Sequence, residues 1–236
     1  MVPANFKFLP ADYKYKGILL ARTGKDSLGL IEMEKAIELD PASSKTIYSE
    51  MANISYRAKK YDKVSMYLEK KMAADANSLD NNDYFNYGRA NYNLGNNKLT
   101  EAASIKDKKA AAAKEAEAIP FYVKADTAFS HLIKLNPNWV TAYTWKGRSS
   151  ASLKNLDAAK TAYDKGTSLV KPEEKTGLYK KDIIEALEFN GYYYVEKKDK
   201  ENADATFNQL KEIDPNNAKV INYFKKPQTP GGTKKP

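Results

Sequence analysis

One spacing constrains this chain more than any other. From Gly17, a small residue follows at Gly29, a large apolar one at Met33, and Pro41 closes the stretch. Starting from Gly191, the same offsets land on Ala203, Phe207 and Pro215. From Gly147 they land on Ala159 and Tyr163, with Pro172 one place late. From Ala52 they give Val64, Leu68 and Ala76, without the proline. From Gly88 they work once residues 96–120 are set aside as an insertion, and then reach Ala125, Phe129 and Pro137. Four places before each small residue stands Tyr13, Tyr48, Tyr84, Tyr143 or Leu187.

A helical hairpin explains such a unit. Small residues on both helices let the backbones approach at their crossing, and large ones fill the space alongside. Proline then ends the second helix, because it has no N–H to give and pushes its predecessor out of the α region. This pattern resembles the tetratricopeptide repeat, with its 34-residue period and its small, Tyr, Ala, Phe and Pro slots. The resemblance covers residues 10–217 as five repeats. It implies an all-α fold, a right-handed α–α superhelical solenoid of helical hairpins.

The repeats are placed at about 10–43, 45–78, 81–137 with the insertion 96–120, 140–172 and 173–217. Residues 1–9 read as a linker from a preceding repeat, because no polar capping helix shields the first one. We therefore expect the chain to be the C-terminal part of a longer array or precursor. Within the repeats, helices are expected near 10–23 and 26–39, then 44–58 and 61–74, with Ser44 as an N-cap. Asn93 to Asn97 is expected to end the next helix. The Ala-, Lys- and Glu-rich insertion should form an exposed helical arm, capped by Thr100 and bending at Pro120 into a helix near 119–135, the alternative being a flexible surface loop. Pro172, Glu173 and Glu174 resemble the start of a long helix over 173–197, followed by one near 200–213. Residues 218–226 are expected to form a short capping helix, and 227–236 a disordered tail.

Composition narrows the function classes. No run approaches eighteen apolar residues, so the sequence offers no membrane span. There is no cysteine, hence no disulfide and no thiolate ligand. This suits the periplasm or the cytoplasm and leaves the compartment open. The N-terminus lacks a signal peptide pattern, and the Asn-, Lys- and Tyr-rich repeats look similar to those of bacterial envelope proteins. The net charge of +9 invites a nucleic-acid reading. Lys225, Lys226, Lys234 and Lys235 supply four of those charges from the tail, and the rest are dispersed among acids, which argues against a phosphate track.

Catalysis finds little footing. The lone histidine, His131, has no cysteine or carboxylate cluster beside it in the sequence. Gly17 to Lys25 has six residues between its glycines, not the four of a phosphate loop, and Asp75, Asn77 and Asp80 lack the glycine and final glutamate of a calcium loop. Tyr194 falls on a slot between the two helices and is expected in the core. No catalytic residue, metal or cofactor is therefore assigned.

The resemblance implies a groove lined by the first helix of each repeat. Its slots lie three before the small residue and one, four and five after it. They hold Lys14, Ile18, Ala21 and Arg22, then Ser49, Asn53, Tyr56 and Arg57. Next come Phe85, Arg89, Tyr92 and Asn93, then Thr144, Arg148, Ala151 and Ser152, and last Glu188, Tyr192, Val195 and Glu196. All four arginines of the chain occupy these slots. An arginine fork grips carboxylates, and the neighbouring aromatics offer apolar anchors. The alternative is that these arginines pair with acids on adjacent helices. Some proteins of this family clamp acidic chaperone tails with lysine and asparagine; Asn53 fits one such slot, but the combined pattern is missing.

The function read from the residues is a non-catalytic scaffold. It would bind a peptide or partner protein with acidic groups in a groove that is basic first and acidic last. The alternatives are a polymer-binding module for glycan or nucleic acid, and an adaptor portion of a larger protein.

Overall fold

A computed structural model describes residues 7–225; the tail and the first part of the linker lie outside them. Among the described residues there are twelve α-helices, two short 3₁₀ turns and no strand. They divide between Pro137 and Asn138 into two compact units.

The first unit contains three hairpins. Helix α1 (Pro10–Arg22) packs against α2 (Asp26–Leu39), α3 (Ser44–Arg57) against α4 (Tyr61–Ala74), and α5 (Asn81–Ala103) against α7 (Ile119–Leu135). The short α6 (Lys108–Ala116) lies on α5. The second unit pairs α8 (Val140–Ser152) with α9 (Leu156–Ser168) and α10 (Lys180–Glu196) with α11 (Lys200–Ile213). Helix α12 (Ala218–Lys225) packs on α11.

The recurring small residue sits where the helices cross. A Cβ on Gly17 would meet the Gly29 carbonyl oxygen at 2.6 Å. One on Gly88 or Gly191 would meet the ring of Phe129 or Phe207 at 2.6 and 2.7 Å. The large residues at the matching slot, Met33, Leu68, Phe129 and Phe207, are fully buried. Seven places after the small residue the chain turns left-handed, at Gly24 (φ 80°), Lys59 (56°), Lys154 (59°) and Lys198 (58°). That residue ends the first helix of four hairpins, as the last carbonyls require.

Repeat three departs from this rule and corrects the expectation for Asn93 to Asn97. Its residue at that slot, Gly95, stays helical, packed against the ring of Tyr122, and α5 continues to Ala103. Tyr122 also donates from its hydroxyl to Asn96 Oδ1 at 2.7 Å. The first part of the interval 96–120 is thus an extension of α5, and the remainder folds back as α6. Its ends are pinned by the buried Ala102 and Ala118. Thr100 is not a cap: its hydroxyl donates to the Asn96 carbonyl inside α5, and Asp107 caps α6 by accepting from the Ala110 N–H at 2.8 Å.

Three further expectations are corrected. The long helix over 173–197 begins only at Lys180, because Pro172–Glu174 closes a 3₁₀ turn and the chain stays in turns through Tyr179. Ser44 is the first residue of α3 rather than its cap, and Asp40 instead caps the preceding 3₁₀ turn. Tyr194 is half-buried, with its ring beside Tyr193 and the Lys160 ammonium. No helix among the described residues is long and apolar enough to cross a membrane.

Candidate functional site

Two cavities contain residues expected in the groove, one from each unit. The first, of about 400 Å³, is lined by α1, α3 and α5. It brings together four of the expected residues, Arg22, Asn53, Tyr56 and Arg57, with Ile18. Arg22 and Arg57 are exposed at its rim. Asn86 donates from Nδ2 to Asn53 Oδ1 at 2.7 Å, which fixes the orientation of both amides in the wall. Next to them the Arg89 guanidinium lies 4.8 Å from the Tyr56 ring centre and 5.1 Å from that of Phe85. Burial pushes the Tyr56 hydroxyl pKa up, against the opposing pull of Arg89, so it remains a neutral donor.

Other expected residues are engaged elsewhere in the first unit. Phe85 meets Phe129 edge-on, and Tyr92 tilts against Tyr122. Asn93 donates back to the Arg89 carbonyl at 2.7 Å. Lys14 has its ammonium 5.8 Å from the Tyr15 ring and does not line the cavity.

In the second unit Arg148 grips a carboxylate of its own chain. Its Nε lies 2.6 Å from Glu185 Oε1, a terminal nitrogen bonds Oε2, and the guanidinium covers Trp145 at 4.3 Å. Tyr163 donates its hydroxyl to the same Glu185 at 2.9 Å. The second cavity, of about 360 Å³, lies along α10, with Leu156 and Tyr163 from α9 and Lys219 from α12 completing it. Glu188 and Tyr192 line it, as does Glu196, and Glu188 accepts from Lys219 and Asn217.

Sequence reasoning passed over several lining residues, and the missing signal was a slot. Glu50, Asn86 and Phe189 all stand two places before the small residue, and Asn82 and Glu185 six before it. On a helix these positions adjoin the slots three before and one after, so the lining stripe is wider than expected.

A tetratricopeptide repeat family model matches residues 140–169 and 184–217, the α8–α9 and α10–α11 hairpins. These two hairpins carry tetratricopeptide repeats. Among solved structures it is similar to the C-terminal part of a TPR repeat-containing protein from Cytophaga hutchinsonii. That match has a TM-score of 0.64 and 26% identity, over 92% of this chain and 73% of that one. YrrB, a TPR protein with an unusual peptide-binding site, matches with a TM-score of 0.61 and 20% identity, over 91% of each chain. A MamA protein matches with a TM-score of 0.62 and 19% identity, over 89% of this chain and 94% of that one. No curated protein matches the chain in sequence. These likenesses place the fold in the all-α superhelical TPR class.

Proposed function

We propose that this TPR chain is a non-catalytic interaction scaffold whose first unit holds an acidic segment of a partner protein. One observation carries the reading: Arg22 and Arg57 stand exposed at the rim of a cavity whose wall is set by the Asn53–Asn86 amide pair and Tyr56. Two guanidinium forks reach ligand carboxylates, the amides offer further donors and acceptors for an extended backbone, and Tyr56 gives an apolar face. The likeness to YrrB supports a peptide as the class of ligand.

The test is fluorescence anisotropy with a labelled hexaglutamate peptide. Wild-type protein binds it, and Arg22→Ala/Arg57→Ala binds at least about tenfold more weakly, as expected for the loss of charge-assisted hydrogen bonds. Equal affinity of the two proteins overturns the proposal. A duplex oligonucleotide that binds with a steeper salt dependence than the peptide would favour polymer binding instead.

A further inference from the structure

The cavity of the second unit differs in chemistry from that of the first. Its lining includes the rings of Phe189, Tyr192 and Tyr193, the last already 5.2 Å from the Lys197 ammonium and 5.8 Å from that of Lys160, and three carboxylates, Glu185, Glu188 and Glu196. Such a combination suits a cation, which gains from the negative ring faces and from charge-assisted bonds together. A cation is already present. The ammonium of Lys219 reaches in from α12, 2.5 Å from Glu188 Oε2 and 6.0 Å from the Tyr192 ring centre.

We propose that this cavity receives a lysine or arginine side chain of a partner protein, and that Lys219 is an internal occupant which the partner displaces. The three carboxylates have different standings. Glu185 is committed, with both oxygens on Arg148 and one also on Tyr163. Glu188 is held by Lys219, whose side chain is 46% exposed and so swings into water at little cost. Glu196 has no ion-pair partner among the described residues. Removing Lys219 therefore leaves two carboxylates beside the rings with a single charge owed to each. Helix α12 need not leave for this. Val220 is buried with Phe207 and Leu210, and Tyr223 stacks on Phe207 at 4.2 Å, so only one side chain has to move. The site does not depend on the acidic-segment reading of the first unit.

The probe is a labelled hexalysine peptide, compared with a Gly-Ser peptide of equal length at low ionic strength. Wild-type protein is expected to bind hexalysine selectively. Lys219→Met, which keeps the stem and removes the competing charge, should bind it about fivefold more tightly, and Glu188→Gln/Glu196→Gln about tenfold more weakly. Arg22→Ala/Arg57→Ala should leave hexalysine binding unchanged, so a failure here is separable from one in the first unit. In the wild-type protein, hexalysine should shift amide resonances of residues 185–196. Binding no tighter than that of the Gly-Ser peptide, unchanged affinity in Lys219→Met, or shifts confined to other helices would each overturn the proposal.

Discussion

Lys71 Nζ lies 2.6 Å from Asp83 Oδ2, and both side chains are buried, at 8% and 3% exposure. Ser49 bridges them, accepting from Lys71 at 2.8 Å and donating to Asp83 at 3.0 Å. The pair joins α4 to α5, and Asp83 also completes the capping box with Asp80 at the start of α5. Removing one partner leaves the other charge desolvated. Lys71→Met should therefore cost about 3–5 kcal/mol in urea unfolding. Lys71→Met/Asp83→Asn should recover part of that loss, because no bare charge remains. A double variant less stable than Lys71→Met would contradict this account.

The crossing of α1 and α2 is set by backbone rather than by side chains. A methyl on Gly17 would come within 2.6 Å of the Gly29 carbonyl oxygen and 2.7 Å of Met33 Cγ, and the carbonyl cannot yield as a side chain does. Gly17→Ala should destabilise by about 1–3 kcal/mol, as overpacking does. Gly177→Ala is the control, since its nearest neighbour is 3.9 Å away; its effect should stay within about 0.5 kcal/mol. Comparable thermal shifts for the two would show that the crossing tolerates separation.

What could be read in advance follows from this same crossing. Close packing at Gly17, Gly88, Gly147 and Gly191 forces small residues at fixed intervals, so the hairpins were legible as spacing. The end of α5 was not. Asn93 to Asn97 reads as a helix end, yet the missing Cβ of Gly95 makes room for the Tyr122 ring, a contact between residues far apart in sequence. The lining of the first cavity was legible in part, because matching helical slots on α1 and α3 bring Arg22, Asn53, Tyr56 and Arg57 to it. That Glu185 would take both oxygens of its carboxylate to Arg148 depends on how α10 packs on α8, and spacing carries no trace of it.

Three lysines occupy a backbone region that disfavours side chains. Lys59, Lys154 and Lys198 have φ between 56° and 59°, at the slot where the first hairpin uses Gly24. A non-glycine residue there carries a strain of roughly 1 kcal/mol. Lys154→Gly should therefore stabilise by about 0.5 kcal/mol, the gain being reduced by the greater freedom of glycine in the unfolded chain. A lowered melting temperature would mean that the lysine stem contributes packing greater than the strain.

Glu69 gives the first unit a pH response. Burial pushes its carboxyl pKa up, but the ion pair with Lys124 and the hydroxyls of Tyr87 and Ser65 outweigh this and hold it below the usual carboxylate range. A depressed folded pKa means stability that is present above the unfolded value, about 4.3, and lost as pH falls through the folded one. The side chain is 42% exposed, so solvent screening keeps the contribution small. The wild-type protein should melt above Glu69→Gln at pH 7, and the gap should close as pH falls below about 4. A gap independent of pH from 7 to 3 would remove the ion pair as its cause.

The bidentate bond between Arg148 and Glu185 decides whether this arginine serves the fold or a ligand. The two side chains are 30% and 28% exposed, intermediate between a surface pair and a buried one. Two parallel charge-assisted bonds, with Trp145 beneath the guanidinium, should give a coupling of about 1 kcal/mol. A double-mutant cycle with Arg148→Met and Glu185→Gln, measured by urea unfolding, reads that coupling directly. If the two changes were additive within about 0.3 kcal/mol, the guanidinium would be free to exchange Glu185 for a ligand carboxylate at no loss of stability. Arg148 would then be open to a carboxylate outside its own chain. With the coupling present, any such ligand must first break a bond that the protein already makes, and Arg148 acts instead to hold α10 against α8.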